Sequence, residues 1–198
     1  MPHTAARRTS LTAHYTALTL PEIEAEFSAV ARDTTAVFGH LDARQLNWKP
    51  GEASWSIAQC FDHLLGANRE MFTAIDAALA RSPAWWQQLP GLPRFFGTVM
   101  VRSQMPEATR KYTAPKQATP SASAIDAAIV QRFVDHQEEA AARVRSIDGA
   151  AAARIMVSPF VSFITYSVLD GWRLIVTHER RHFEQARRVL LHPGFPRS

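Results

Sequence analysis

The sequence predicts an all-α protein: a four-helix bundle with a long, irregular, aromatic-rich connection between its second and third helices. Three observations carry this reading. Four long segments repeat apolar residues at three- and four-residue spacing, the period of a helix with one buried face. No stretch alternates apolar and polar residues for long enough to build a sheet. Between the second and third segments lie residues 83–120, which hold six of the twelve prolines and so cannot simply continue a helix.

Each element has its own signals. Residues 1–19 are polar and aperiodic, and a loose arm is expected there. Pro21 suits the first turn of a helix, and Ile23, Phe27, Val30, Thr34, Val37, Phe38 and Leu41 carry that helix over 21–41. Leu46 to Gly51 is a turn, because Pro50-Gly51 cannot propagate a helix. Ser54 or Ser56 can cap a second helix over 55–81, with Ile57, Phe61, Leu64, Leu65, Phe72, Ile75 and Leu79 as its apolar stripe. Ser82-Pro83 ends it. The 83–120 segment carries Trp85, Trp86, Phe95 and Phe96, which either line a pocket or serve as core cover or a dimer surface. A short helix is expected within it, near 94–104. The third long helix is expected after Pro120, capped by Ser121 or Ser123, and running to Ile147. Ile125, Ile129, Phe133, Val144 and Ile147 mark its inner side. Asp148-Gly149 breaks it, and residues 150–164 are mixed. The last helix is expected over 165–191, started by Thr165 or Ser162. One domain over 20–192 and a tail over 193–198 follow from this division.

Composition narrows the function classes. The chain has 198 residues, 46% hydrophobic and 20% charged, an ordinary globular balance. The net charge of +4 is mild, and no Lys/Arg run is interleaved with aromatics, so nucleic acid is not an expected partner. The single cysteine, Cys60, excludes an internal disulfide and fits a reducing compartment. No apolar run approaches the roughly 18–20 residues of a membrane span. No signal-peptide core is evident near the N-terminus. A cytoplasmic protein with no membrane partner is expected.

Two helical stretches carry histidines placed for chemistry. One is Trp55 to Leu64, with His63; the other is His178-Glu179-Arg180-Arg181-His182. An i, i+4 pair sets two imidazoles on one helix face, about 6 Å apart, within reach of one metal ion. His63 is the best third ligand. On a helical wheel His182 falls inside the inward arc of the last helix, His178 on its edge and Glu179 near its centre. His63 lies just beyond the edge of its own arc. The three histidines therefore belong near the boundary of core and solvent, where a metal would keep an open position. Each could instead be a packed, hydrogen-bonded side chain. The same five residues match the H-E-x-x-H motif of zincin proteases. That reading is set aside: only 16 residues follow His182, no third ligand is suitably spaced, and two arginines occupy the middle.

The ordered set Leu46-Asn47-Trp48-Lys49-Pro50, Trp55 to Leu64 and His178 to Gln185 resembles the DinB/YfiT-like superfamily of metalloenzymes, over roughly residues 20–192. The resemblance implies an up-down-down-up four-helix bundle. It implies one divalent metal held by His63, His178 and His182, with zinc, nickel, iron or manganese all compatible with imidazole ligands. It also implies one of two chemistries: transfer or isomerisation with a low-molecular-weight thiol cosubstrate, or metal-dependent hydrolysis of a small molecule. A homodimer is plausible on the same ground. The long 83–120 segment departs from the family pattern.

Other residues keep open roles. Glu179 is a candidate base, extra ligand or support for an imidazole, or else one half of an internal salt bridge. Asp62 and Gln185 could orient ligands or simply be solvated, Gln185 being the better placed. Cys60 could approach the metal or fill the core. Trp48 and Trp55 are expected to close the loop end of the bundle. His3, His14, His40, His136 and His192 have no partner at useful spacing. The alternatives to an enzyme are a non-catalytic metal- or small-molecule-binding bundle and a metal-free dimerising bundle in which His63 points away from the pair.

Overall fold

The computed structural model describes residues 14–81, 91–105, 119–121 and 124–197. Trp85, Trp86, Ser123, His3, most of the expected arm and part of the 83–120 connection lie outside them. In order, the elements are α1 (Leu20–Phe38), α2 (Ala43–Asn47), α3 (Ile57–Ala80), α4 (Leu92–Ser103), α5 (Ile129–Arg145), α6 (Gly149–Ala152), β1 (Ile155–Val157), β2 (Thr165–Ser167) and α7 (Val168–Leu190). The fold is mostly helical, as the apolar period predicts.

Two of the long helices, α1 and α3, start for local reasons. Thr19 N–H donates to Glu22 Oε2 at 2.8 Å as α1 begins, and Pro21 lies in its first turn. Ser56 caps α3 by accepting from Gln59 N–H at 3.1 Å, while Gln59 Oε1 accepts from Ser56 N–H at 3.2 Å. This reciprocal capping box fixes the start of α3 less than two turns before His63. α4 falls where the short helix near 94–104 is expected.

Two helix starts differ from expectation. The third long helix begins at Ile129, not just after Pro120. The intervening backbone bonds elsewhere. Asn47 clamps Ile125 from both sides, accepting from its N–H and donating to its C=O, each at 2.8 Å. Ser121 N–H donates to Asp62, and Ser121 C=O accepts from Gln59, also at 2.8 Å each. Those groups are taken by α2 and α3, so no helical ladder can form there. The last helix begins at Val168, capped by Ser167, rather than at Thr165 or Ser162. Thr165–Ser167 is instead strand β2, pairing antiparallel with β1 in the register Ile155 with Ser167, Met156 with Tyr166 and Val157 with Thr165. This small sheet corrects the expectation of no strands. Three-residue strands are too short to register as alternation.

α1 packs on α5 and α7, and α3 packs on α7 and α5. Their apolar faces form two core clusters. One gathers Ile23, Phe27, Phe72, Ile75, Val144, Tyr166 and Trp172; the other gathers Phe38, Ile57, Phe61, Phe133, Phe183 and Val189. Three buried polar residues, Asn68, Gln137 and Glu179, lie where α3, α5 and α7 pass from one cluster to the other. Within the stretch expected to be a loose arm, Tyr15 and Leu18 are buried in the first cluster. Arg173 Nε holds Leu18 C=O at 2.8 Å. No helix among the described residues is long and apolar enough to cross a membrane.

Candidate metal centre

His63 projects from α3, and His178 and His182 project from adjacent turns of α7. α7 is set by contacts on its other sides. Arg180, two residues or about 200° round the helix from His178, pairs with Glu26 at 2.9 Å and Asp33 at 2.6 Å on α1. With Arg180 anchored to α1, the His178 side is turned toward α3.

The three imidazoles converge. One ligand-capable nitrogen from each lies within 4.8 Å of the others. His63 Nε2 and His178 Nε2 are 3.1 Å apart. Ring centroids are separated by 5.0 Å for His63 and His178, and by 4.6 Å for each of the other two pairs. His63 and His182 are buried and His178 is half-buried, so the centre is more enclosed than a wheel edge suggests. Trp55 covers it from one side, stacked on His182 at 5.6 Å and tilted against His63 at 4.9 Å.

The donor set fits a divalent ion. Two ligands at about 2.0–2.1 Å from a tetrahedral centre sit about 3.3 Å apart, close to the 3.1 Å between His63 and His178. His182 Nδ1 is buried with no hydrogen-bond partner among the described residues. Burial holds the His178 imidazole well below its ordinary pKa, helped by His182, His63 and Arg181. Burial likewise lowers His182 to about 3, with His63 and Arg181 adding to it and hydrogen bonding by Gln185 opposing. These rings are neutral at pH 7, the form in which imidazole binds a metal.

The other candidates sort differently. Glu179 is completely buried, and its Oε1 accepts from Asn68 Nδ2 at 2.7 Å and Gln137 Nε2 at 3.0 Å. Its partners are amides rather than an arginine. Burial raises its pKa to about 7, against the lowering effect of those two hydrogen bonds. Asp62 is engaged with Ser121. Cys60 is fully buried and outside the histidine cluster, and burial pushes its thiol up to about 12. Trp48 packs against His192 and Phe195. Phe95 is 60% exposed, so it does not serve as core cover within this chain. Sequence reasoning missed Asn68 and Gln137. The signal was present: each is a polar residue at an inward position, between Leu65 and Phe72 or between Phe133 and Val144.

No curated protein and no solved structure matches the chain. The family profile of the DinB superfamily matches residues 26–186, a span that includes all three histidines. Together with the histidine cluster, that match fits a metal-binding protein. The chain belongs to the DinB superfamily.

Proposed function

We propose that this protein binds one divalent metal ion through His63, His178 and His182 and uses it as an enzyme. The reaction is either transfer or isomerisation with a low-molecular-weight thiol, or hydrolysis of a small molecule. The observation that carries the reading is the convergence of three imidazoles from two helices within 4.8 Å. Zinc, nickel, iron and manganese all suit three nitrogen ligands. A metal held there would act as a Lewis acid, drawing the pKa of a water or a thiol toward neutrality. The chain's own residues supply the rest. Arg180 and the capped α3 orient the ligands, and Trp55 covers the site from one side. His178 is the least buried residue of the three. Glu179, with its carboxyl near neutrality in pKa but bonded to two amides, is a support for this site rather than its base.

The architecture proposed with it is the up-down-down-up bundle. It is supported by the order in which each long helix enters the two core clusters: first then second for α1 and α7, the reverse for α3 and α5. A cytoplasmic homodimer acting on a small molecule completes the reading.

The test is metal content per chain, on protein purified without a histidine tag, for wild type and His178→Ala. Near-stoichiometric metal that the variant loses is the expected result, and it directs a screen of thiol-transfer and hydrolase substrates. A wild type that stays metal-free after incubation with Zn²⁺, Ni²⁺ and Mn²⁺ would overturn the reading.

A further inference from the structure

The centre draws its ligands from two helices, so it depends on how α3 and α7 are set against each other. Apolar packing alone fixes that loosely, because apolar side chains tolerate sliding and repacking. A buried polar contact is directional and loses its partners if a helix slips. Such a contact joins α3 and α7 beside the histidines. Glu179 follows His178 directly, and Asn68 lies five residues after His63. The two side chains meet at 2.7 Å, and Gln137 closes on the same Glu179 oxygen from α5 at 3.0 Å. All three residues are at most 1% exposed. They sit at the border between the two apolar clusters.

We propose that Glu179 is the positioning residue of the histidine centre: its Oε1, gripped by Asn68 and Gln137, sets the register of α7 against α3 at which His178 and His182 meet His63. The inference rests on the metal-centre reading above for its purpose, but not for its geometry. Glu179 acts here as a hydrogen-bond acceptor shared by three helices. Its charge and its protonation are not used. Its other oxygen, Oε2, has no partner among the described residues, so the carboxylate is replaceable by an amide that keeps one acceptor.

Three variants test this by Co²⁺ affinity, by the visible Co²⁺ absorption bands that report ligand geometry, and by thermal unfolding. Glu179→Gln keeps the acceptor and is expected to bind Co²⁺ within about 2-fold of wild type, with the same bands. The triple variant Glu179→Leu, Asn68→Ala, Gln137→Leu removes donors and acceptor together, leaving no unpaired buried group. It is expected to fold cooperatively yet bind Co²⁺ on the order of 10-fold more weakly, with altered bands. Asn68→Ala alone cuts only the α3 arm and gives the same readouts if the triple variant does not fold. A folded triple or Asn68→Ala variant with wild-type affinity and bands overturns the proposal. So does Glu179→Gln behaving like the triple variant, which would assign the effect to charge. If wild type binds no Co²⁺, the metal-centre reading fails, and the positioning is judged on the metal-free chain. Nuclear Overhauser contacts between the His63 and His178 rings then decide: lost in the triple variant, the proposal stands; kept, it falls.

Discussion

This molecule has two largely buried histidine environments, and they differ in one respect that matters. His136 on α5 is buried, stacks on Phe72 at 4.9 Å, and is held below its ordinary pKa chiefly by burial. It lines an open groove of about 520 Å³ together with Arg69, Arg132 and Arg143, and Arg143 is already paired with Asp76 and Glu139. His63 and His182 are buried too and His178 is half-buried, and His178 and His182 are also depressed by burial. There, however, the rings face one another. Burial and a shifted pKa therefore do not separate a packed histidine from a candidate ligand. Convergence of lone pairs does.

The largest expected effect breaks the comparison outright. His63→Ala or His182→Ala removes one of three ligands and should weaken metal binding at least about 100-fold, read by titration calorimetry. His136→Ala should leave metal content unchanged. Its expected cost is in stability instead, about 2 kcal/mol, because the Phe72 stack loses a buried partner; urea unfolding measures it. A His136→Ala protein that lost its metal would erase the distinction.

Acid sharpens the same contrast. The folded chain holds His182 near 3, whereas an unfolded imidazole has a pKa of about 6.5. As pH falls below the unfolded value, the unfolded chain takes up a proton that the folded one refuses. Stability attributable to His182 is thus present above about pH 6.5 and lost toward the folded value. Between pH 7 and 5 the metal-free protein should lose about 2 kcal/mol through this group. Urea unfolding of wild type and His182→Asn checks it: the variant's pH slope should be shallower. Bound metal should raise stability without flattening the wild-type slope above about pH 5, because the folded ring is already unprotonated there and the unfolded chain still takes up the proton.

A smaller effect is expected at Asn47. Asn47→Ala frees both backbone groups of Ile125, costing about 2 kcal/mol or less. Hydrogen exchange should quicken at Ile125 while metal content holds. The smallest effect is at Cys60. With its thiol pushed up to about 12 and fully buried, it should resist a thiol-reactive dye until urea unfolds the chain. Cys60→Ala should not change metal content.

Much of this was legible before folding was considered. The stripe from Ile23 to Phe38 and that from Ile57 to Ile75 gave helices whose ends moved by only a few residues, because the 3.6-residue period is written locally. The i, i+4 spacing of His178 and His182 is local as well. Other features were not legible. α5 starts at Ile129 because Asn47, far away in sequence, holds Ile125. β2 exists only because residues 155–157 arrive beside it.

The sequence by itself determined a helical chain, the face each helix buries, and a histidine pair on one helix surface. Those follow from periodicity, capping and spacing, which act over a few residues. Tertiary structure alone decided that His63 meets the pair and that Trp55 roofs it. It also decided that Glu179 turns to Asn68 and Gln137. Those depend on the rotation and register of one helix against another, and side chains distant in the chain set both.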